Sequence, residues 1–211
     1  MLKKILKISA ILLVVIFLLA FSLPFFFRHK ITALARDQIN KHINAKVDFS
    51  DVDLSMFRHF PRLSVGLNNL QVVGTDDFNK DTLISAGQVD VALNLFSLFG
   101  GYQIDIYNIS IDKPRIHAIV NKDGKANWDI SKPDTSGSST NTSSNFRMHL
   151  QSYKINEGYI SYTDVPSDMY CEIQNLNHSG AGDFTSDLFT LQTKTSIESV
   201  SFTRNKIPWL V

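Results

Sequence analysis

The side chains best suited to chemistry are scattered along this chain rather than gathered. Its histidines, His29, His42, His59, His117, His149 and His178, include no pair at a spacing that would ligate a metal from one element. The single cysteine, Cys171, excludes an internal disulfide and has no charged signature around it that would activate a thiolate. One cysteine suits a reducing compartment, and equally a periplasmic protein that does without disulfides. No serine occupies a Gly-x-Ser-x-Gly elbow, and Gly66, Gly74, Gly87 and the pair Gly100-Gly101 form no phosphate loop. Asp76, Asp77 and Asp81 put carboxylates into one polar loop, 74–81. Their spacing is not that of an EF-hand and no glutamate closes the set, so the loop reads as a solvated turn. Trp128 offers a face for stacking on a ligand, but a tryptophan closing a hairpin is read as packing. Lys and Arg number 21 against 20 Asp and Glu, which removes any electrostatic case for nucleic acid. The residues therefore assign no catalytic group, no metal and no cofactor, and the expectation is a protein that is not an enzyme.

The elements that remain are strands. Leu63, Val65 and Leu67 share one parity and Leu70 and Val72 the other, so one residue at Asn68-Asn69 is extra. Val89, Val91 and Leu93 alternate with Asp90 and Ala92. The run 95–99 breaks that period before Gly100-Gly101, as a single helical turn would. Ile104 and Ile106 resume the alternation, Ile109 and Ile111 continue it on the other parity, and a bulge is expected near Tyr107-Asn108. Pro114 fits a strand start or an edge. Residues 116–120, the turn Lys122-Asp123-Gly124-Lys125 and 126–130 read as a hairpin. Residues 131–145 are almost wholly Ser, Thr, Asn, Asp, Pro and Gly, the composition of a flexible linker. Strands then resume at 146–155, 159–163, 169–176 and 188–197, which describes a long meandering antiparallel sheet.

Before the strands, Lys3, Lys4 and Lys7 precede an apolar run over 8–27. Twenty residues at about 1.5 Å each match a bilayer core of about 30 Å. A cleaved signal peptide is the competing reading, with Ala20 and Ser22 before the cut, but the run continues through Phe25, Phe26 and Phe27. Ile31, Leu34, Ala35, Ile39 and Ile43 then fall at helical spacing. That helix either packs on its own domain or lies in the membrane interface.

Several of these stretches carry a resemblance. The alternating strand, Asn94-Leu95-Phe96-Ser97-Leu98, then Pro114-Arg115-Ile116, then Asp123-Gly124-Lys125-Ala126-Asn127-Trp128, resembles the N-terminal region of the AsmA family. Phe60-Pro61-Arg62-Leu63 and the run 158–164 extend the likeness over nearly the whole chain. The resemblance implies an envelope protein of Gram-negative bacteria, with its N-terminus cytoplasmic, one span in the inner membrane and the remainder periplasmic. It carries no catalytic residue to this chain. It also implies kinship with β-groove lipid carriers that bridge membranes, and so membrane lipid as the partner, phospholipid or lipopolysaccharide, with envelope proteins as further partners.

The expected organisation is a transmembrane anchor (1–28), an amphipathic helix (29–45), a first β unit (46–130), the linker (131–145) and a second β unit (146–211). Family members are usually longer, so the chain is expected to be an N-terminal fragment. The fold class is mainly β, a long antiparallel curved sheet with the amphipathic helix packed at its start. Such a sheet has one apolar face that something must cover. Leu63, Val65, Leu67, Val89, Val91, Leu93, Ile104, Ile106, Ile109 and Ile111 either line a groove for acyl chains or form a closed core. The functional expectation is lipid guidance or support of outer-membrane assembly. The alternative is an adaptor that holds a protein partner by pairing at the sheet edge.

Overall fold

The structure is a computed structural model, and it describes residues 7, 32–33, 36–37, 39–41, 43–55, 62–94, 106–132, 150–182 and 190–210. The expected span 8–27, the turn 95–101 and nearly all of the linker lie outside the described residues. Among those described, no helix is long and apolar enough to cross a membrane.

Strands β1 (Ala45–Asp48), β2 (Asp51–Ser55), β3 (Arg62–Gly74), β4 (Thr82–Asn94), β5 (Ile106–Asp112) and β6 (Arg115–Val120) come first in the chain. They are followed by β7 (Ser152–Asp164), β8 (Met169–Ala181), β9 (Gln192–Ser196), β10 (Ser199–Arg204) and β11 (Ile207–Leu210). All belong to one hydrogen-bonded sheet, along which β1, β3, β4, β5, β7, β8, β10 and β11 are successive neighbours. The sheet is mixed, which corrects the expected antiparallel meander. β7 runs parallel to both β5 and β6, while the other pairings are antiparallel. β7 begins beside the start of β5, with Ser152 against Asn108, so it must run the same way.

Two bulge expectations are resolved in different ways. Ala92 pairs with Asn108 and Leu93 with Ile106, so Tyr107 is the extra residue the parity change required. At Asn68-Asn69 no residue is gained against β4, because Asn68 pairs with Gln88 and Leu70 with Ala86. Asn69 instead takes φ 53°, the left-handed region that Asn tolerates better than most residues. That single residue lets Val65 and Leu67 on one side, and Leu70 and Val72 on the other, pack against the same buried cluster.

The same device recurs in neighbouring strands, at Lys113 (φ 53°) between β5 and β6, at Glu157 (φ 50°) in β7 and at Asn175 (φ 50°) in β8. Breaks between β1 and β2, and between β9 and β10, fall on the same transverse line. This crease interrupts the ladder, and nearby polar groups rejoin it. The Ser50 N–H donates to the Asn68 carbonyl at 2.9 Å, the Lys113 N–H to that of Asn156 at 2.8 Å and the Glu157 N–H to Asn177 Oδ1 at 3.1 Å. Each strand thus changes the parity of its apolar residues at the crease, and one face stays apolar on both sides.

The expected hairpin at 116–130 forms only its turn. Gly124 has φ +75°, which a side chain would oppose, and the Asn121 N–H donates to the Lys125 carbonyl at 2.8 Å. The return arm makes one isolated bridge, Val120 with Ala126, and no strand. Asn127 stands in for it: its amide donates to the His117 carbonyl at 2.7 Å and accepts the Ile119 N–H at 2.9 Å. Its own N–H reaches the Ile119 carbonyl at 3.0 Å. A buried side chain therefore replaces strand pairing, which backbone groups at this depth require.

The core lies at the β1–β4 end. Ala45, Val47, Phe49, Val52, Val72 and Leu83 are buried together, with Ile39, Ile43 and Ile130 packed over them. The described residues within 32–41 are helical, Ile39 among them, but the expected helix does not reach 45. Ile43 makes an isolated bridge with Ser131 and Ala45 begins β1, while Ile31, Leu34 and Ala35 lie outside the described residues. Asn40 fastens this segment to β1 by donating to the Val47 carbonyl at 2.9 Å and accepting the Val47 N–H at 2.6 Å. Lys132 donates to the carbonyls of Asn40 and Lys41 at 3.1 and 3.0 Å, satisfying the free end of the helical segment.

Candidate functional site: an apolar sheet face

Directly paired residues on neighbouring strands share a face, so the register sorts the side chains. On one side of the crease Leu67 pairs with Val89 and Val89 with Ile111, while Val65 pairs with Val91 and Val91 with Ile109. Leu63 pairs with Leu93, and Leu93 with Ile106. The candidate lining residues thus form three rows over β3, β4 and β5, and Ile104 alone lies outside the described residues. Leu63 is buried and the rest are half-buried. β7 continues two of these rows with Tyr153 and Ile155.

Beyond the crease is a row that sequence reasoning missed. Val47 pairs with Val72, Val72 with Ile84, Ile84 with Ile116, Ile116 with Ile160, Ile160 with Ile173 and Ile173 with Val200. At about 4.8 Å per strand, this apolar row extends roughly 30 Å across the sheet. The row beside it contains Ala118, Tyr162, Cys171 and Phe202. The available signal was the even parity of Ile116 and Ala118 after the odd parity of Ile109 and Ile111, with Lys113-Pro114 between. From β6 onward these residues are half-buried, whereas Val47 and Val72 under the helical segment are 4% and 8% exposed.

The face carries some polarity near β9. The Tyr153 hydroxyl and His178 Nε2 share a hydrogen bond of 2.9 Å, and His178 Nδ1 and the Thr195 hydroxyl share one of 2.8 Å. The ring of Tyr153 lies over Gly180, where a Cβ would come within 2.4 Å of it.

The opposite face is polar. Asp53, Gly66, Asp90, Ser110 and Lys154 form one of its rows. Past the crease, His117 shares a 2.9 Å hydrogen bond with Ser161, and the Arg115 guanidinium stacks on Tyr159 at 5.6 Å. The Tyr170 hydroxyl donates to Glu172, which raises the tyrosine well above its ordinary pKa and lowers that of the carboxylate. Among the described residues no group of His, Cys, Asp and Glu is arranged to hold a metal ion. In the polar loop 74–81, Asp77 holds Lys125 at 2.5 Å, and that hydrogen bond raises the lysine's pKa. Trp128 stacks at 6.1 Å on Tyr162 and is 45% exposed.

A model of the AsmA family matches residues 2–184. The chain belongs to the AsmA family. No curated protein matches it. As an AsmA-family protein it presents a mainly β, mixed sheet of great breadth, one face apolar and the other polar. Its apolar face offers van der Waals contact and exclusion of water rather than a nucleophile or a base.

Proposed function

We propose that this AsmA-family protein is anchored in the inner membrane by residues 8–27 and guides lipid along its periplasmic apolar sheet face, without bond chemistry, in outer-membrane biogenesis. The observation that carries the reading is the cross-strand row that continues, half-buried, through Ile116, Ile160, Ile173 and Val200. Each methylene of an acyl chain laid on it is worth about 0.8 kcal/mol. Such a face needs geometry and apolarity alone. A periplasm-specific reporter inserted within 136–145 tests the topology, and activity of a cytoplasmic reporter there reverses it.

The function is tested by lipid recovered by mass spectrometry from the detergent-purified full chain, beside its thermal unfolding. Val91→Asp and Ile106→Asp place a carboxylate on the rows of β4 and β5, and Asp90→Asn is the control on the opposite face. Folded variants that lose phospholipid support guidance. Collapse of both variants with the control intact means a sealed core, and contradicts it.

A second reading, an adaptor that pairs through a sheet edge, is favoured by β11. Its residues Ile207, Trp209 and Leu210 are 58%, 69% and 51% exposed. Under that reading the purified chain carries only annular lipid, and the aspartate variants leave partner binding unchanged.

A further inference from the structure

Where the crease reaches β7, β8 and β9 there is an open cavity of about 260 Å³ whose walls include Lys154, Ser179, Lys194 and Ser196. Lys154 pairs with Ser179 and Ser179 with Lys194, so a small hydroxyl residue stands between two lysines in one row. The row belongs to the polar face, because Tyr153 and Ile155 on either side of Lys154 continue the apolar one. Two strand spacings separate the lysine backbones by roughly 10 Å, a gap their flexible stems can close over Ser179.

Neither lysine forms an ion pair among the described residues, whereas Lys41, Lys113 and Lys125 each hold a carboxylate. Of the acidic groups on the adjoining strands, Glu157 faces Lys113 and Glu198 accepts from Asn175, while Asp112 accepts the amide of Asn156, itself a wall residue, and forms no ion pair with either lysine. Two ammonium groups flanking a hydroxyl repel one another, and an oxyanion carrying two charges turns that repulsion into attraction. Ammonium groups serve as point charges for phosphate, and Ser179 and Ser196 add hydroxyl donors.

We infer that this cavity binds a phosphate-class oxyanion, whether free phosphate or the phosphomonoester headgroup of a lipid. Binding here rests on the lysine row and not on lipid guidance, so either can fail while the other stands, although Ile155 and His178 of the apolar face also border the cavity.

The test uses the full chain in neutral detergent with its lysines dimethylated by a 13C label, which preserves their charge. Inorganic phosphate is titrated in one arm and phosphatidate-loaded micelles in another, with chloride at matched ionic strength as reference. Saturable shifts of the Lys154 and Lys194 resonances with inorganic phosphate identify free phosphate as sufficient; shifts with phosphatidate alone identify the headgroup. Lys154→Ala or Lys194→Ala weakens binding by about tenfold or more, while Lys46→Ala on β1 leaves it unchanged. Resonances that move no more than that of Lys46, or alanine variants that bind as the parent does, overturn the site.

Discussion

Val47 and Ile173 lie in the same cross-strand row, on the same face of the same sheet, yet only Val47 is buried. The difference comes from what lies above them. Ile39, Ile43 and Ile130 pack over the cluster around Val47, Phe49 and Val72, and that part of the sheet is a closed core. From β6 to β10 the row keeps its residue types while its side chains remain half-exposed. An apolar pattern in sequence therefore specifies a face, and the covering elements decide whether that face is a core or a surface.

The largest effect should come from attacking the covered region. Phe49 is 1% exposed, and Phe49→Ala should cost about 3–5 kcal/mol in chemical denaturation. Ile173→Ala should cost about 1 kcal/mol or less, because part of its surface already meets solvent. Equal losses at both positions would erase the distinction between the two regions.

Asn127→Ala removes the side chain that pairs with His117 and Ile119, leaving the His117 carbonyl and the Ile119 N–H without that partner. A loss of about 1–3 kcal/mol is expected, with hydrogen exchange at Ile119 rising more than exchange in β1. A smaller effect is expected at the crease. Asn69→Val should cost about 1–2 kcal/mol because a branched residue resists φ 53°, while Asn69→Gly should be close to neutral.

Much of this was legible in sequence, for physical reasons that differ by element. Alternation gave the rows of β3, β4 and β5, and parity changes located the irregularities at Asn69 and Tyr107. What the parity change meant was not legible, since an added residue and a left-handed one leave the same trace. The hairpin at 116–130 was misread because Asp123-Gly124 announces a turn but not the strand after it. The asparagine amide that replaces that strand has no periodicity to betray it. Parallel pairing of β7 was hidden too, because strand direction depends on the path of residues between strands.

The smallest effect concerns the polar face of the uncovered region. Glu172 is lowered chiefly by the Tyr170 hydrogen bond, so its contribution is present above the ordinary carboxylate pKa and is lost as pH falls through the lowered one. Tyr170 is raised by the same bond, so its contribution is full below the ordinary tyrosine value and is lost as pH rises through the raised one. Both groups are solvent-facing, so screening keeps the effect slight, and Tyr170→Phe should flatten both limbs of the stability–pH curve.

Whether lipid lies on the half-exposed apolar face, as proposed, is tested most directly at neighbouring positions on β8. A photo-cross-linking residue placed at Ile173 projects onto the apolar face, and one placed at Glu172 projects onto the polar face. After irradiation of the full chain in its native membrane, mass spectrometry should find lipid adducts at position 173 and few or none at 172. Equal labelling at the two positions, or adducts at 172 alone, would contradict the account.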